Sequence, residues 1–369
     1  MTNLSELTNP GLKVSLPQNR QANLGQGLMP TNKGLPAYPN SWFAVALSDE
    51  LPPGKMLTRQ FMGQDLIIFR TQSGAVSVLD PFCPHLGAHI GHGGTVEGEA
   101  VRCPFHGFCF DAQGNCVATG YGTKPPPKAK MRTWLFQEKH GLILVYYHNR
   151  GNAPDWEVPE LDTEGWSPLR WKVLSLSTHP QEIYENSVDV GHFSIIHNYD
   201  AIEDAAETVT DGPNLYAHYA VRRRAKIFGK RLGKFATPGA SQLDVFIRGL
   251  GYSLTEVKVP EYGVHSRLFV LVTPADNVKS TVWLAFSQKI SPKLRQVYPA
   301  LRLMPQALIN AIALRVSFWE FTQDLFQDLE VWENKCYVQR PALAEGDGPI
   351  SKYRNWVRQF YPQPVEVPA

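Results

Sequence analysis

The sequence predicts an α+β chain: an all-β N-terminal domain, then a domain in which helices pack on an antiparallel sheet. Two observations carry this expectation. From Ser41 to about His148 the chain is a succession of short segments rich in β-branched and aromatic residues, punctuated by Gly, Pro, Asp and Asn. Beyond residue 166, strand-like and helix-like segments mix, and a long helical stretch runs from about Pro305 to Lys335.

In chain order, residues 1–40 are rich in Asn, Gln, Gly and Pro and lack an apolar core. They read as a loose N-terminal arm rather than a signal peptide. Residues 41–150 form the first domain. Its strands are "SWFAVAL" (41–47), "DLIIFRT" (65–71), "AVSVLD" (75–80) and "GLILVYYH" (141–148). "KPPPKAK" (124–130) is an extended connector, because Pro fixes φ and offers no N–H. Residues 151–166 read as a linker and 167–369 as the second domain. There, "RWKVLSLST" (170–178) is a strand and "PQEIYENSVDVGHF" (180–193) is helix-like. "SRLFVLVTP" (266–274) and "TVWLAFSQKI" (281–290) are further strands.

Bulk properties exclude several classes of function. The chain has 369 residues, 43% of them hydrophobic and 19% charged, as in soluble globular proteins. A net charge of +2 gives no reason to expect nucleic acid as a partner. Five cysteines do not suit a secreted disulfide framework and point to a reducing, cytoplasmic setting. No apolar run reaches the length of roughly 18 residues that a transmembrane span needs.

The stretch "CPHLGAHIGHGGTVEGEAVRCPFHG" (83–107) carries two clusters, Cys83-x-His85 and Cys103-x-x-His106. Two thiolates and two imidazoles suit a metal. Zinc fingers place two Cys in one cluster and two His in the other, whereas here each cluster supplies one of each. A Rieske [2Fe–2S] centre needs that set, with two Cys on one iron and two His on the other. Pro84 and Pro104 stiffen the loops, and the glycines between let backbone N–H groups approach sulfur.

A second constellation lies in "ENSVDVGHFSIIHN" (185–198): Asn186, Asp189, His192 and His197. On a helix Asp189 and His192 are neighbours, and the carboxylate can accept the imidazole N–H. His192 and His197 are five apart, so an unbroken α-helix would splay them by about 140°. If both bind one ion, the helix must widen or end between them. Two His fit a non-haem Fe(II) triad that lacks only a carboxylate. On a helical wheel, "VSFWEFTQDLFQDLEVWENK" (316–335) places Asp328 within the apolar stripe and Asp324 at its edge. A buried acid is expensive unless paired or metal-bound, so Asp328 is the first candidate and Asp324 the second.

Together these motifs resemble the Rieske non-haem iron oxygenases, specifically their terminal oxygenase (α) component. The resemblance runs from about Ser41 to Lys335. "N-x-x-D-x-x-H-x-x-x-x-H" at Asn186, Asp189, His192 and His197 is similar to that family's mononuclear-iron motif. "QDLEVWENK" (327–335) looks like the closing segment of its 3-ketosteroid 9α-hydroxylase and cholesterol 7-desaturase branch, which puts the carboxylate ligand on Asp328. The disulfide between cluster loops that respiratory Rieske proteins carry has no counterpart here. Leu86, Gly87, Ala88, Pro104 and Phe105 stand in those places, leaving Cys109 and Cys116 as plain thiols.

The resemblance implies a Rieske domain followed by a helix-grip catalytic domain, assembled as a homotrimer. In it, a Rieske centre faces the iron of the next subunit, and Asp189 bridges to His106 across that boundary. It implies a [2Fe–2S] cluster, mononuclear Fe(II) and O2 as co-substrate. Electrons come from a separate ferredoxin and/or NAD(P)H reductase, since no G-x-G-x-x-G follows a strand. Lys124, Lys128, Lys130 and Arg132 offer a docking face or a merely solvated charge run, as do Arg222, Arg223, Arg224, Lys226, Lys230 and Arg231. Hydroxylation of a bulky apolar, steroid-like substrate is expected. Desaturation or demethylation would use the same equipment, and a pure Rieske electron carrier would leave the second domain idle. Phe269, Leu271, Trp283 and Phe286, with the 305–321 helix, are the expected pocket lining.

Overall fold

A computed structural model describes residues 35, 38–197, 201–222, 226–227, 230–231 and 240–362. The architecture is α+β and mostly sheet. Nearly all of the expected N-terminal arm lies outside the described residues, as do Arg223 and Arg224.

The N-terminal part is three small antiparallel sheets. β1 (Ser41–Leu47), β9 (Phe136–Lys139) and β10 (Leu142–Tyr147) form one, in the order β1–β10–β9. β2 (Met56–Phe61), β3 (Gln64–Arg70) and β4 (Val76–Leu79) form a meander. β5 (Thr95–Glu97), β6 (Ala100–Arg102), β7 (Cys109–Asp111) and β8 (Cys116–Ala118) form the third. The last four strands have three residues each and carry too few apolar residues for a period-2 signal in sequence.

β1 is buried on both faces. Alternation sends Phe43 and Val45 toward Phe61, Leu66, Ile68 and Trp134. Trp42 and Ala44 face the opposite way, into a core shared with Phe269, Leu271 and Trp283 of the second part. The Thr273 hydroxyl donates to the Ala44 carbonyl at 2.6 Å, and the Trp42 indole N–H donates to the Trp156 carbonyl at 2.9 Å. The 151–166 stretch holds no helix or strand, and it buries Trp156 and Val158 in that shared core.

The second part is built on one eight-stranded antiparallel sheet. Its strands are β11 (Arg170–Leu176), β12 (Ala201–Ala205), β13 (Val209–Asp211), β14 (Asn214–Arg222), β17 (Ala240–Arg248), β18 (Tyr252–Val259), β19 (Val264–Pro274) and β20 (Ser280–Ile290). The order is β11–β20–β19–β18–β17–β14–β12, with β13 also on β14. A two-residue pair, β15 (Lys226–Ile227) with β16 (Lys230–Arg231), stands apart.

Between β11 and β12 lie two short helices, α1 (Pro180–Glu185) and α2 (Gly191–Ile195), where the sequence suggests a single helix-like segment. The break falls over Asn186–Val190, where Ser, Val, Asp and Val are poor helix formers and Gly191 follows. α3 (Leu294–Val297) leads to α4 (Gln306–Asn334), whose 29 residues match the expected long helix. α4 buries Leu325, Asp328 and Trp332, spaced three and four apart, against the sheet core. α5 (Ile350–Val357) escapes the sequence reading and buries Tyr353, Trp356 and Val357 in the same core.

This arrangement corrects the expected pocket lining. Phe269, Leu271 and Trp283 lie on the sheet face turned toward β1 and β10, away from α4. The face turned to α4 carries Val270, Val272, Val282 and Leu284. Phe286 does belong there, with its ring 6.0 Å from Phe318 and 6.2 Å from Phe321. Strands covered on both faces read as continuous apolar runs, so sequence alone does not tell one face from the other.

Candidate metal centres

The first centre is a pair of matched loops. One joins β4 to β5 and the other joins β6 to β7. Each opens with Cys-Pro and holds a Gly four residues after the Cys. The Cys83 N–H donates to the Ala88 carbonyl at 2.9 Å, and the Cys103 N–H donates to the Phe108 carbonyl at 2.8 Å. In return the Gly87 and Gly107 N–H groups donate to the carbonyls of Cys83 and Cys103, at 2.9 and 3.1 Å. Both glycines have positive φ, 74° and 65°, which a side chain would make costly. The loops are therefore two copies of one backbone knuckle.

The knuckles present their donors together. Cys83 and Cys103 are buried, and the His85 and His106 rings lie 4.7 Å apart. His85 stacks on Phe108 at 4.4 Å. Burial, followed by the neighbouring Cys103 thiol, pushes the Cys83 thiol up to about 11. Two buried thiols facing each other suit a metal, which stabilises both thiolates at once. No disulfide is present among the described cysteines, and Cys109 and Cys116 sit half-buried on β7 and β8.

The second centre gathers distant residues. His192 sits on α2, His197 lies two residues past its end, and Asp328 projects from α4. The helix ends between the two His, the second of the two arrangements that a shared ion permits. One donor atom from each of the three lies within 4.8 Å of the others. His197 Nε2 stands 3.3 Å from Asp328 Oδ2, and the two imidazole centroids are 5.1 Å apart. Two imidazoles and one carboxylate brought this close are the donor set of a non-haem iron triad. Asp324 is half-buried and outside this trio.

The groups around the trio fit a cation. Asp328 Oδ1 is buried with no hydrogen-bond partner among the described residues. A buried carboxylate lacking full compensation costs several kcal/mol, so the geometry calls for positive charge. Burial alone would lower the His197 pKa. The Asp328 carboxylate, with Asp324 and Gln327, outweighs that and raises it. The His192 Nδ1–H donates to the Asp189 backbone carbonyl at 2.5 Å, which turns Nε2 toward the trio. Gln327 Oε1 stands 3.3 Å from His197 Nδ1 and orients that ring in the same way. Gln327 is absent from the sequence-based candidates; its position beside Asp328 is the one available clue.

Asp189 differs from the expectation. Its carboxylate accepts the backbone N–H of His192 at 3.2 Å and stands 3.8 Å from the imidazole Nδ1. The residue precedes α2, so its side chain caps the first turn and its carbonyl takes the ring proton. Burial would raise its carboxyl pKa, but the hydrogen bonds and charge of His192, aided by Lys335, hold it below the usual range. Asn186 closes α1, where its backbone N–H reaches the carbonyls of Ile183 and Tyr184.

A buried charge network braces this centre. Lys335 Nζ lies 2.9 Å from Glu182, and Arg354 grips Glu185 with two bonds of 2.5 and 2.8 Å. These pairs tie the end of α4 and the face of α5 to α1, fixing Asp328 relative to His192 and His197.

Known families match both parts of the chain. Residues 41–129 match the Rieske [2Fe-2S] domain, and residues 145–361 match the 3-ketosteroid 9alpha-hydroxylase C-terminal domain. The chain belongs to the Rieske oxygenases of this branch. It is 30% identical over 338 residues to a Bombyx mori cholesterol 7-desaturase, covering 88% of this chain and 70% of that one. It is 26% identical to the oxygenase component of a Rhodococcus rhodochrous 3-ketosteroid-9-alpha-monooxygenase, covering 94% and 89%. Dicamba monooxygenase bound to dicamba superposes with a TM-score of 0.62 at 18% identity, over 87% of this chain and 96% of that one. The QL mutant of Pseudomonas putida NdmA with caffeine gives 0.64 at 20%, over 86% and 89%. This Rieske oxygenase is thus an O2-dependent oxidoreductase that uses a [2Fe–2S] cluster and mononuclear iron. Among the described residues, no helix is long and apolar enough to cross a membrane.

Proposed function

We propose that the chain is a terminal oxygenase that hydroxylates a bulky apolar, steroid-like substrate, with electrons supplied by a separate ferredoxin and/or NAD(P)H reductase. The observation that carries the reading is the convergence of His192, His197 and Asp328, with one Asp328 oxygen buried and unpaired. Cys83, His85, Cys103 and His106 hold the cluster, and His192, His197 and Asp328 hold the iron. When bound, the cluster supplies single electrons and the iron supplies O2 activation. The chain's residues orient and enclose. Asp189 and Gln327 fix the two imidazoles, while Leu284, Phe286 and Phe321 offer the substrate an apolar wall between the sheet and α4. A steroid-like substrate is favoured because the relatives are named for 3-ketosteroid and cholesterol chemistry.

We further infer a homotrimer. Exposed Phe82, Leu86, Phe105 and Tyr121 crowd around the cluster loops, an apolar rim that a neighbouring surface or redox partner would cover. The Asp189 side chain remains 34% exposed, accessible to His106 of a neighbouring subunit. Mixing a His106→Ala chain with a His192→Ala chain should then restore partial turnover after subunit exchange. No recovery in verified mixed trimers counts against the shared site. In an iron-loaded Asp189→Asn variant, reoxidation of the reduced cluster should become slow, and normal reoxidation removes the bridging role.

Desaturation is the second reading, favoured by the 30% identity to a cholesterol 7-desaturase. Product analysis with a surrogate reductase and a panel of steroids, terpenoids and aromatics separates the two. A hydroxylated steroid supports the first reading and a new C=C bond the second. Turnover confined to small aromatics overturns the substrate class.

A further inference from the structure

Outside both centres, a third group of donors converges on the first cluster loop. His89 and His92 lie just beyond His85, and Asp65 faces them from β3. One donor atom of each lies within 4.8 Å of the others. His89 Nε2 is 3.1 Å from Asp65 Oδ2, near the separation of two donors on one tetrahedral ion. The His89 and His92 rings lie 4.5 Å apart at 51°.

The backbone holds this arrangement rigidly. The His92 N–H donates to the His89 carbonyl at 3.1 Å, closing a turn that sets the two rings side by side. Between them Ile90 is fully buried, and its N–H donates to the Pro81 carbonyl at 2.8 Å. Gly91 lies so close to β2 that a Cβ there would sit 2.2 Å from Thr58 Oγ1 and 2.9 Å from His89 Cε1. Phe82 packs edge-on against His89, at 5.1 Å. His89 Nδ1 is buried without a partner among the described residues, so the ring's polar chemistry is directed through Nε2, at Asp65.

We propose that Asp65, His89 and His92 form a third metal site, for a borderline divalent ion of the zinc class. Two imidazoles and one carboxylate are a donor set for Zn(II), with a fourth position left to water. A plain His89–Asp65 ion pair accounts for one imidazole, but not for a second ring brought alongside by a tight turn. The ion would staple the cluster loop to the β2–β3 hairpin. The staple bears directly on the cluster, because the Cys83 N–H is held by the Ala88 carbonyl next to His89.

The test uses the tag-free, iron-loaded full-length protein. It is equilibrated with Zn(II), desalted and analysed for both metals, while the cluster's visible absorbance is followed on heating. The expected result is one equivalent of zinc per chain with iron undiminished, and slower bleaching of the chromophore. Asp65→Asn, His89→Gln and His92→Val should each weaken zinc binding by at least the ~10–100-fold that loss of an outer-shell partner costs a metal site. Their unchanged cluster spectrum shows that the domain is folded. His92 is exposed, so His92→Val carries the least folding risk. No zinc uptake leaves only an ion pair and overturns the proposal. Zinc gained at the expense of iron, or uptake indifferent to all three variants, assigns the ion elsewhere and overturns it equally.

Discussion

The two proposed iron centres are built in opposite ways. In the cluster centre, each loop fixes its own Cys and His through backbone hydrogen bonds spanning four or five residues. In the mononuclear centre the carboxylate of Asp328 comes from another element altogether, α4, whose Gln327 lies 130 residues from its partner His197. The first is positioned by local turns. The second exists only while α4 is docked on the sheet beside α1 and α2. Damage to the first should therefore come from its own loops, and damage to the second can come from any residue that seats the long helix.

The largest effect should follow loss of a core thiol. Cys83→Ser should abolish the [2Fe–2S] absorbance and lower the thermal midpoint, because Cys83 packs with Ile67, Ile90 and Phe110. A retained chromophore breaks the assignment. Next, Asp328→Ala should lose mononuclear iron and turnover while keeping the full cluster spectrum, whereas Asp324→Ala keeps both. Iron analysis and product yield decide, and the reverse pattern moves the carboxylate to Asp324.

Lys335→Met sharpens the contrast, since Lys335 touches neither centre. It leaves Glu182 buried without its 2.9 Å partner, at a cost of roughly 3 kcal/mol. Mononuclear iron content should fall while the cluster spectrum holds. Glu182 carries a sign that can be checked. Burial raises its carboxyl pKa even beside Lys335, so the folded state holds the proton more tightly than the unfolded one. Stability should then decline as pH rises from the ordinary carboxylate range through the raised value. In Lys335→Met that decline should steepen, and adding Glu182→Gln should remove it. A Lys335→Met single variant whose stability is indifferent to pH contradicts the account. The smallest effect belongs to Gln327→Ala, which removes one of the contacts that orient the His197 ring. Iron affinity should drop by about 10-fold, with the cluster unaffected.

Legibility in the sequence follows the same divide. Cys83, His85, Cys103 and His106 stand out because one loop carries each pair and the spacing itself is the signal. His192 and His197 are visible as a motif, and Asp328 through the stripe of α4, because burying an acid is costly enough to be noticed. The bracing residues are another matter. Lys335, Glu182, Arg354 and Glu185 look like ordinary surface charges until α5 and α1 are brought together. The faces of β19 and β20 are equally hidden, since Phe269 and Val270 are both apolar and both covered. Asp189 is seen but its contacts are misread, because a cap and a ring acceptor use the same residue at the same spacing.

β1 has a consequence for how such a protein can be rebuilt. One seven-residue strand gives alternate side chains to two different cores, so the boundary between electron-transfer and oxygenation units runs through the strand rather than beside it. A chimera that swaps the first unit for another would put unfamiliar side chains against Phe269, Leu271 and Trp283. Grafts that keep Trp42, Ala44 and Leu144 from this chain while replacing the loops beyond β2 should tolerate exchange. The unit of inheritance here is a cluster-bearing cap on a retained foundation, not a detachable domain.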